Sequence, residues 1–117
     1  MLTVYGIKNC DTVKKALKWL DAEHIAYDFH DLRVDGLAED AVQRWVEALG
    51  WESVLNRRST TWRELSDSDK EMVGETTAVA LLIRFPVLVK RPVFDGNGLI
   101  INGFSESVRA KLKEITA

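Results

Sequence analysis

The stretch Gly6-Ile7-Lys8-Asn9-Cys10-Asp11-Thr12-Val13-Lys14-Lys15 decides how this chain is read. Ahead of it, Leu2-Thr3-Val4-Tyr5 is rich in β-branched and aromatic residues and reads as a short strand that Gly6 stops. Behind it, Val13, Leu17 and Leu20 recur at helical spacing, so Asp11 to Glu23 reads as a helix. Cys10 therefore sits where a strand, a short loop and a helix meet. A thiol at a helix N-terminus faces unpaired N–H groups and the positive end of the dipole, and both favour thiolate over thiol. Lys8, Lys14 and Lys15 add positive potential, and Asp11 opposes it. The thiolate is the nucleophile, so the placement suits attack on a disulfide or an oxyanion such as arsenate. The competing reading is a small buried apolar residue, because free cysteine is among the most buried residue types.

Working outward, Tyr27 to Asp31 is short, aromatic and alternating, and reads as a second strand before a break at Gly36. Ala38 to Leu49 reads as a helix with Ala38, Val42, Trp45 and Leu49 on one stripe and Gly50 as its stop. Trp51 to Leu65 is ambiguous, with room for a short helical turn. Ser66-Asp67-Ser68-Asp69 offers N-caps for a helix over Lys70 to Val73. Thr76 to Phe85 is apolar over most of its surface, as in a largely buried helix, and must end before Pro86. Val93-Phe94 and Leu99-Ile100-Ile101-Asn102 flank the turn residues Asp95-Gly96-Asn97-Gly98 and predict a β-hairpin. Ser105 caps a final helix through Thr116, with Val108, Leu112 and Ile115 inward. The order β-α-β, helices, β-β-α predicts an open α/β sheet with a helical insertion.

Composition narrows the function classes. A chain of 117 residues, 46% hydrophobic and 29% charged, has the profile of one soluble globular domain. A net charge of −2 argues against a nucleic-acid binder that relies on a basic face. One cysteine excludes an internal disulfide, and it excludes structural zinc sites built from four cysteines or from two cysteines and two histidines. No metal site is expected. The N-terminus lacks a basic leader, and the longest apolar run, Ala78 to Ile83, is far short of the roughly 20 residues that span a bilayer. The expected setting is the cytoplasm, without membrane or nucleic-acid partners, and nothing in the sequence demands more than a monomer. His24 and His30 lack the spacing of a catalytic triad, Trp45 sits on an apolar helix face as a core residue, and the acidic residues read as solvated helix faces.

The pattern Tyr5-Gly6-x3-Cys10-x-Thr12-x-Lys14-Lys15-Ala16 resembles the opening of the arsenate reductase (ArsC)/Spx family, closest to its YffB branch. The resemblance continues through Asn56 to Leu65, Pro86 to Val93 and Gly103 to Glu106, four blocks in the right order over essentially the whole chain. It implies a thioredoxin-like α/β fold with a mixed four-stranded sheet: a single domain, its thioredoxin-like part at approximately 1–35 and 86–117 and a helical insertion at approximately 36–85. It implies that Cys10 is the catalytic nucleophile and that Arg91-Pro92 is an arginine–cis-proline element beside it. It makes Arg57, with Arg58 as the competing register, a pocket arginine. A guanidinium fork matches carboxylates and tetrahedral oxyanions, which gives these arginines a chemical purpose. Asn9 and Thr12 are candidates for hydrogen bonds near the sulfur, and Thr12 reads equally well as a helix cap.

The departures from the family pattern shape the expected function. Spx-type regulators carry a Cys-x-x-Cys switch, and its fourth position here is Val13. Monothiol arsenate reductases use a third arginine where this chain has Gly103, and losing one charged hydrogen bond typically costs roughly 2–4 kcal/mol. With one cysteine, turnover must borrow an outside thiol. The expectation is a monothiol oxidoreductase with no bound cofactor and with glutathione as co-substrate. It would act through a Cys10 mixed disulfide on a small-molecule or protein disulfide or an oxyanion, with glutaredoxin as a further candidate partner. The alternatives are a weak arsenate reductase and a non-enzymatic regulator like the Spx branch, whose members dock on RNA polymerase.

Overall fold

Leu2–Gly6 forms β1, alternating buried and half-buried residues as a pleated strand with one covered face requires. The structure, a computed structural model, describes residues 2–71 and 73–116; Met1, Met72 and Ala117 lie outside the described residues. The chain divides into two compact units, Met1–Asp35 with Arg91–Ala117, and Gly36–Lys90.

In the first unit β1 leads into helix α1 (Asp11–Ala22) and strand β2 (Tyr27–Asp31). Strands β3 (Val93–Gly96) and β4 (Leu99–Asn102) and the last helix α7 (Glu106–Thr116) complete it. The sheet order is β2-β1-β3-β4. β1 pairs parallel with β2, Gly6 opposite Asp31, and antiparallel with β3, Tyr5 opposite Val93. The β3–β4 hairpin closes over Asn97-Gly98, with φ of 53° and 78°, a tighter turn than the four residues read from sequence. Positive φ at both positions is what a two-residue hairpin turn that follows the strand twist needs. Leu2 and Val4 share one face of the sheet with Phe94 and Ile101. Ala16 and Leu20 of α1 and Val108 and Leu112 of α7 pack on them, all nine-tenths or more buried. Ser105 caps α7, its Oγ accepting from the Val108 N–H at 3.3 Å.

The second unit is helical: α2 (Glu39–Leu49), α3 (Trp51–Val54), α4 (Thr60–Glu64), α5 (Asp67–Glu71), α6 (Glu75–Arg84) and a 3₁₀ turn over Pro86–Leu88. The buried stripe of α2 is Ala41, Val42, Trp45 and Val46; Ala38 is exposed in the cap position and Leu49 only half-buried. Of the stripe read from sequence the two inner members, Val42 and Trp45, are buried and the two end members are not, because neighbours at i, i+1, i+4 and i+5 share a face as readily as a strict i, i+4 series. Helix α5 starts earlier than the run Lys70 to Val73 suggested, because Ser66 is the capping residue, accepting from the Asp69 N–H at 3.2 Å. The segment from Pro86 to Lys90 bonds within this unit. Leu55 bridges Val89, the Asn56 N–H donates to the Leu88 carbonyl at 2.8 Å, and the Lys90 N–H donates to the Val54 carbonyl at 2.7 Å. Among the described residues no helix is long and apolar enough to cross a membrane.

Candidate active site

Four connections leave or enter the first unit's sheet at one end, fixed there by strand direction. Parallel β1 and β2 both finish at this end, antiparallel β3 starts there, and β4 finishes there. The Cys10 loop, the turn after Asp31, the Arg91-Pro92 entry and Gly103 are therefore neighbours by topology.

Cys10 is the N-cap residue of α1. Its backbone is extended (φ −84°, ψ 122°), its N–H donates to the Ile7 carbonyl at 3.1 Å, and its carbonyl accepts the first helical bond from the Lys14 N–H at 3.0 Å. The side chain is half-buried and makes no capping hydrogen bond. The sulfur thus sits at the mouth of a helix whose first amides lack backbone partners. Thr12 is the second residue of the helix and not its cap. Asn9 and Thr12 are both exposed, and neither side chain bonds the sulfur among the described residues. Lys14, Lys15 and Lys18 line a depression of about 460 Å³ on the outer face of α1, with Asp11 and Leu17.

Gly6 does more than stop a strand. A Cβ built there would lie 2.8 and 2.9 Å from the two Cγ atoms of Val13, which is fully buried. The absence of a side chain at Gly6 lets the first turn of α1 close onto β1, and so fixes where Cys10 stands. Val13 occupies the fourth position of a Cys-x-x-Cys pattern and spends its side chain on this contact.

Asp31 is a residue that the reading of acidic groups as solvated helix faces missed. It ends β2 opposite Gly6 and is only 5% exposed. Its Oδ1 accepts the backbone N–H of Arg33 at 2.8 Å and of Val34 at 3.2 Å, and its Oδ2 accepts the N–H of Lys8 at 3.3 Å. Burial alone would raise its pKa from the ordinary 3.8; the three amide donors and the Lys8 charge outweigh burial and hold it below that value. The sequence signal was present in Asp31 to Gly36, where an Asp at a strand end precedes a turn whose amides it can accept.

The Arg91-Pro92 peptide bond is cis. Pro92 is buried, one residue outside the Tyr5–Val93 pair, and its carbonyl accepts the Gly103 N–H at 2.9 Å. Arg91 is half-buried at the same end of the sheet. Gly103 has φ of +81°, with open space where a side chain would project. An arginine there would have to adopt the left-handed region, at a cost of roughly 1–2 kcal/mol.

Arg57 and Arg58 belong to the second unit. Arg57 is ion-paired to Glu52 at 3.5 Å and lies over the Trp51 ring at 5.7 Å. Arg58 is exposed and its backbone N–H donates to Asn56 Oδ1 at 3.0 Å. His30 packs against Tyr5, its cross-strand partner, with ring centroids 4.8 Å apart, and His24 is an exposed turn residue with φ of 58° after α1. Among the described residues no group of three or more His, Cys, Asp or Glu is placed to hold a metal ion.

A protein of Haemophilus influenzae named only as uncharacterized is 48% identical over 106 residues, covering 91% of this chain and 93% of its own. The solved structure of the YFFB (PA3664) protein superposes with a TM-score of 0.91 at 40% identity, over 96% of this chain and 98% of that one. The global transcriptional regulator Spx of Streptococcus mutans is 25% identical over 115 residues, 96% of this chain and 83% of the relative. The family described as the ArsC family matches residues 5–111, the span that holds Cys10, the cis-proline and the whole sheet bar its first residues. A mixed four-stranded sheet of thioredoxin-like kind, a cysteine at the mouth of its first helix and this match together make the chain a member of the ArsC family.

Proposed function

We propose that the protein is a monothiol thiol–disulfide oxidoreductase that uses glutathione as co-substrate. The observation that carries this reading is the placement of the chain's one cysteine: half-buried, at the N-cap of α1, with its side chain uncommitted to capping, at the sheet end where Arg91-Pro92 enters. Membership of a family that includes arsenate reductases supports redox chemistry at that sulfur.

Take a thiol blocked by glutathione as the simplest substrate. Cys10 thiolate attacks the glutathione sulfur; the substrate S–S bond breaks, a Cys10–glutathione disulfide forms, and the substrate leaves as a thiolate that takes a proton from water. The thiolate of a second glutathione attacks that mixed disulfide, releases oxidised glutathione and restores the Cys10 thiolate. The substrate is reduced and glutathione is oxidised, with no cofactor resident on the protein. Glutathione's carboxylates match the guanidinium of Arg91, and by motif those of Arg57 or Arg58. Since Arg57 already partners Glu52, Arg58 is the better candidate of that pair. Glutaredoxin is a candidate protein partner for the resolving step. With Gly103 in place of a third arginine, oxyanion reduction is the weaker activity.

Intact mass after incubation with oxidised glutathione tests the reading. One glutathionyl adduct on wild type, absent from Cys10→Ser and removed by reduced glutathione, is the expected result. A chain that never takes up the adduct would sink it. The second reading is a regulator without catalysis, favoured by the Spx relative that matches 96% of the chain. Stoichiometric capture of RNA polymerase by an unreactive Cys10 protein would decide for it.

A further inference from the structure

We propose that Asp31 is a positioning residue that holds the Cys10 loop in its reactive shape from the end of the neighbouring strand. The inference rests on the reading of Cys10 as the nucleophile and adds to it the part that keeps the sulfur in place.

Between the last residue of β1 and the first of α1 lie Ile7, Lys8, Asn9 and Cys10. Two backbone contacts tie this segment's ends: Cys10 N–H to the Ile7 carbonyl at 3.1 Å, and Leu32 N–H to the Gly6 carbonyl at 2.9 Å. Its middle is held by Asp31, whose Oδ2 accepts the Lys8 N–H. The other oxygen of the same carboxylate is committed to the Arg33 and Val34 amides of the turn that follows β2. That turn is locked again by Asp35, which accepts the Asp31 N–H at 3.1 Å through Oδ2 and donates its own N–H to the Asp31 carbonyl at 2.8 Å. Asp31 is the one buried polar or charged residue among the described residues. A buried carboxylate is tolerated only while its oxygens keep their donors. A loop conformation that withdraws the Lys8 amide takes that donor from Oδ2. The solvation of Asp31 is thereby coupled to the shape of the loop, and the loop shape sets where Cys10 meets the amides of α1. This is support of a reacting group by a rigid neighbouring element.

The two oxygens make the proposal separable from a plain turn-forming role. Asparagine has one accepting oxygen and presents N–H donors on the other side. It can serve the Arg33/Val34 turn or Lys8, not both. Asp35→Ala loosens the same turn without touching the Lys8 contact. The experiment compares the full-length wild type, Asp31→Asn and Asp35→Ala by three measurements: the second-order rate of Cys10 alkylation by iodoacetamide at neutral pH, hydrogen exchange at the Lys8 amide, and thermal unfolding. The expected result is slower alkylation in Asp31→Asn by about tenfold, with loss of Lys8 protection. Asp35→Ala lowers the unfolding temperature and leaves rate and Lys8 protection near wild type. Alkylation of Asp31→Asn within twofold of a fast wild type, Lys8 still protected, overturns the proposal. So does an equal slowing by Asp35→Ala. Should Asp31→Asn not fold, wild-type exchange decides alone: a Lys8 amide that exchanges like an open loop overturns it. Wild type alkylating no faster than free glutathione removes the nucleophile reading itself, and with it the reason for a positioning residue.

Discussion

The loop ahead of α1 and the loop ahead of α4 both lead into a helix N-terminus, and both carry residues of the family pattern, yet they are held by different kinds of contact. Around Cys10 the restraints come from far along the chain: Asp31 on Lys8, Leu32 on Gly6, and the pairing of Tyr5 with Val93. Around Arg57 and Arg58 they come mostly from within a few residues. Asn56 Oδ1 takes the Arg58 amide, Ser59 Oγ caps α4 from the Trp62 amide at 3.2 Å, and Glu52 pairs with Arg57. A loop fixed by distant partners can fix an atom. A loop built from its own turn residues places a charge approximately and leaves the long side chain to find its ligand. That division suits the roles proposed for them: a nucleophile, whose rate depends on placement, and a carboxylate-binding arginine, whose attraction is long-ranged.

The largest expected effect comes from removing the atom that the first loop exists to place. Cys10→Ser should lower disulfide reduction by about a thousandfold or more, as loss of a nucleophile does. The unfolding transition should stay near wild type, because the side chain makes no capping bond. Reductase assay and thermal unfolding on one preparation check both halves.

Gly6→Ala comes next. The new methyl would meet Val13 at less than 3.0 Å, and overpacking of this kind costs about 1–3 kcal/mol. Denaturant unfolding measures it. The pair Gly6→Ala with Val13→Ala should lose less than the two single costs added, since removing the Val13 methyls makes the room. The matching disruption in the other loop, Asn56→Ala, removes one partly exposed hydrogen bond and should cost about 1 kcal/mol or less.

Asp31 adds a pH dependence to the first loop. Its folded pKa is depressed, so its contribution is fully present above the ordinary value of 3.8 and is lost as pH falls through the lower folded value. The stability gap between wild type and Asp31→Asn should therefore be widest at neutral pH and close on acidification below about pH 4. A gap that widens on acidification would contradict the assignment. Arg57→Ala should change least, by about 0–1 kcal/mol, because its ion pair with Glu52 is more than half exposed on both sides.

Much of the fold could be read from local pattern. β2 keeps the bounds that its alternation suggests, and Cys10 stands where a strand, a loop and an apolar helical face meet. The helical unit was less legible. Trp51 to Leu65 resolves into α3 and α4, each too short to show a full apolar period. Ser66 rather than a later residue became the cap of α5, because several capping residues in a row do not rank themselves. Asp31 was legible only as a turn former, and its burial was not. Its burial depends on the register of β1 against β2 and on a loop amide 23 positions away, and neither leaves a mark in its sequence neighbourhood.

The strand order has a consequence for how the Cys10 loop comes into being. β1 is an inner strand, yet residues 3 to 5 pair with residues 93 to 95. Contacts of such long sequence separation form late, since a long stretch of chain must first be brought together. As the chain leaves a ribosome, Cys10 and its helix emerge well ahead of β3, and β1 is flanked on both sides only once β3 has followed. Until then Cys10 has the chemistry of any cysteine in an open chain. Cys10 is thus synthesised well before the strand that completes its surroundings.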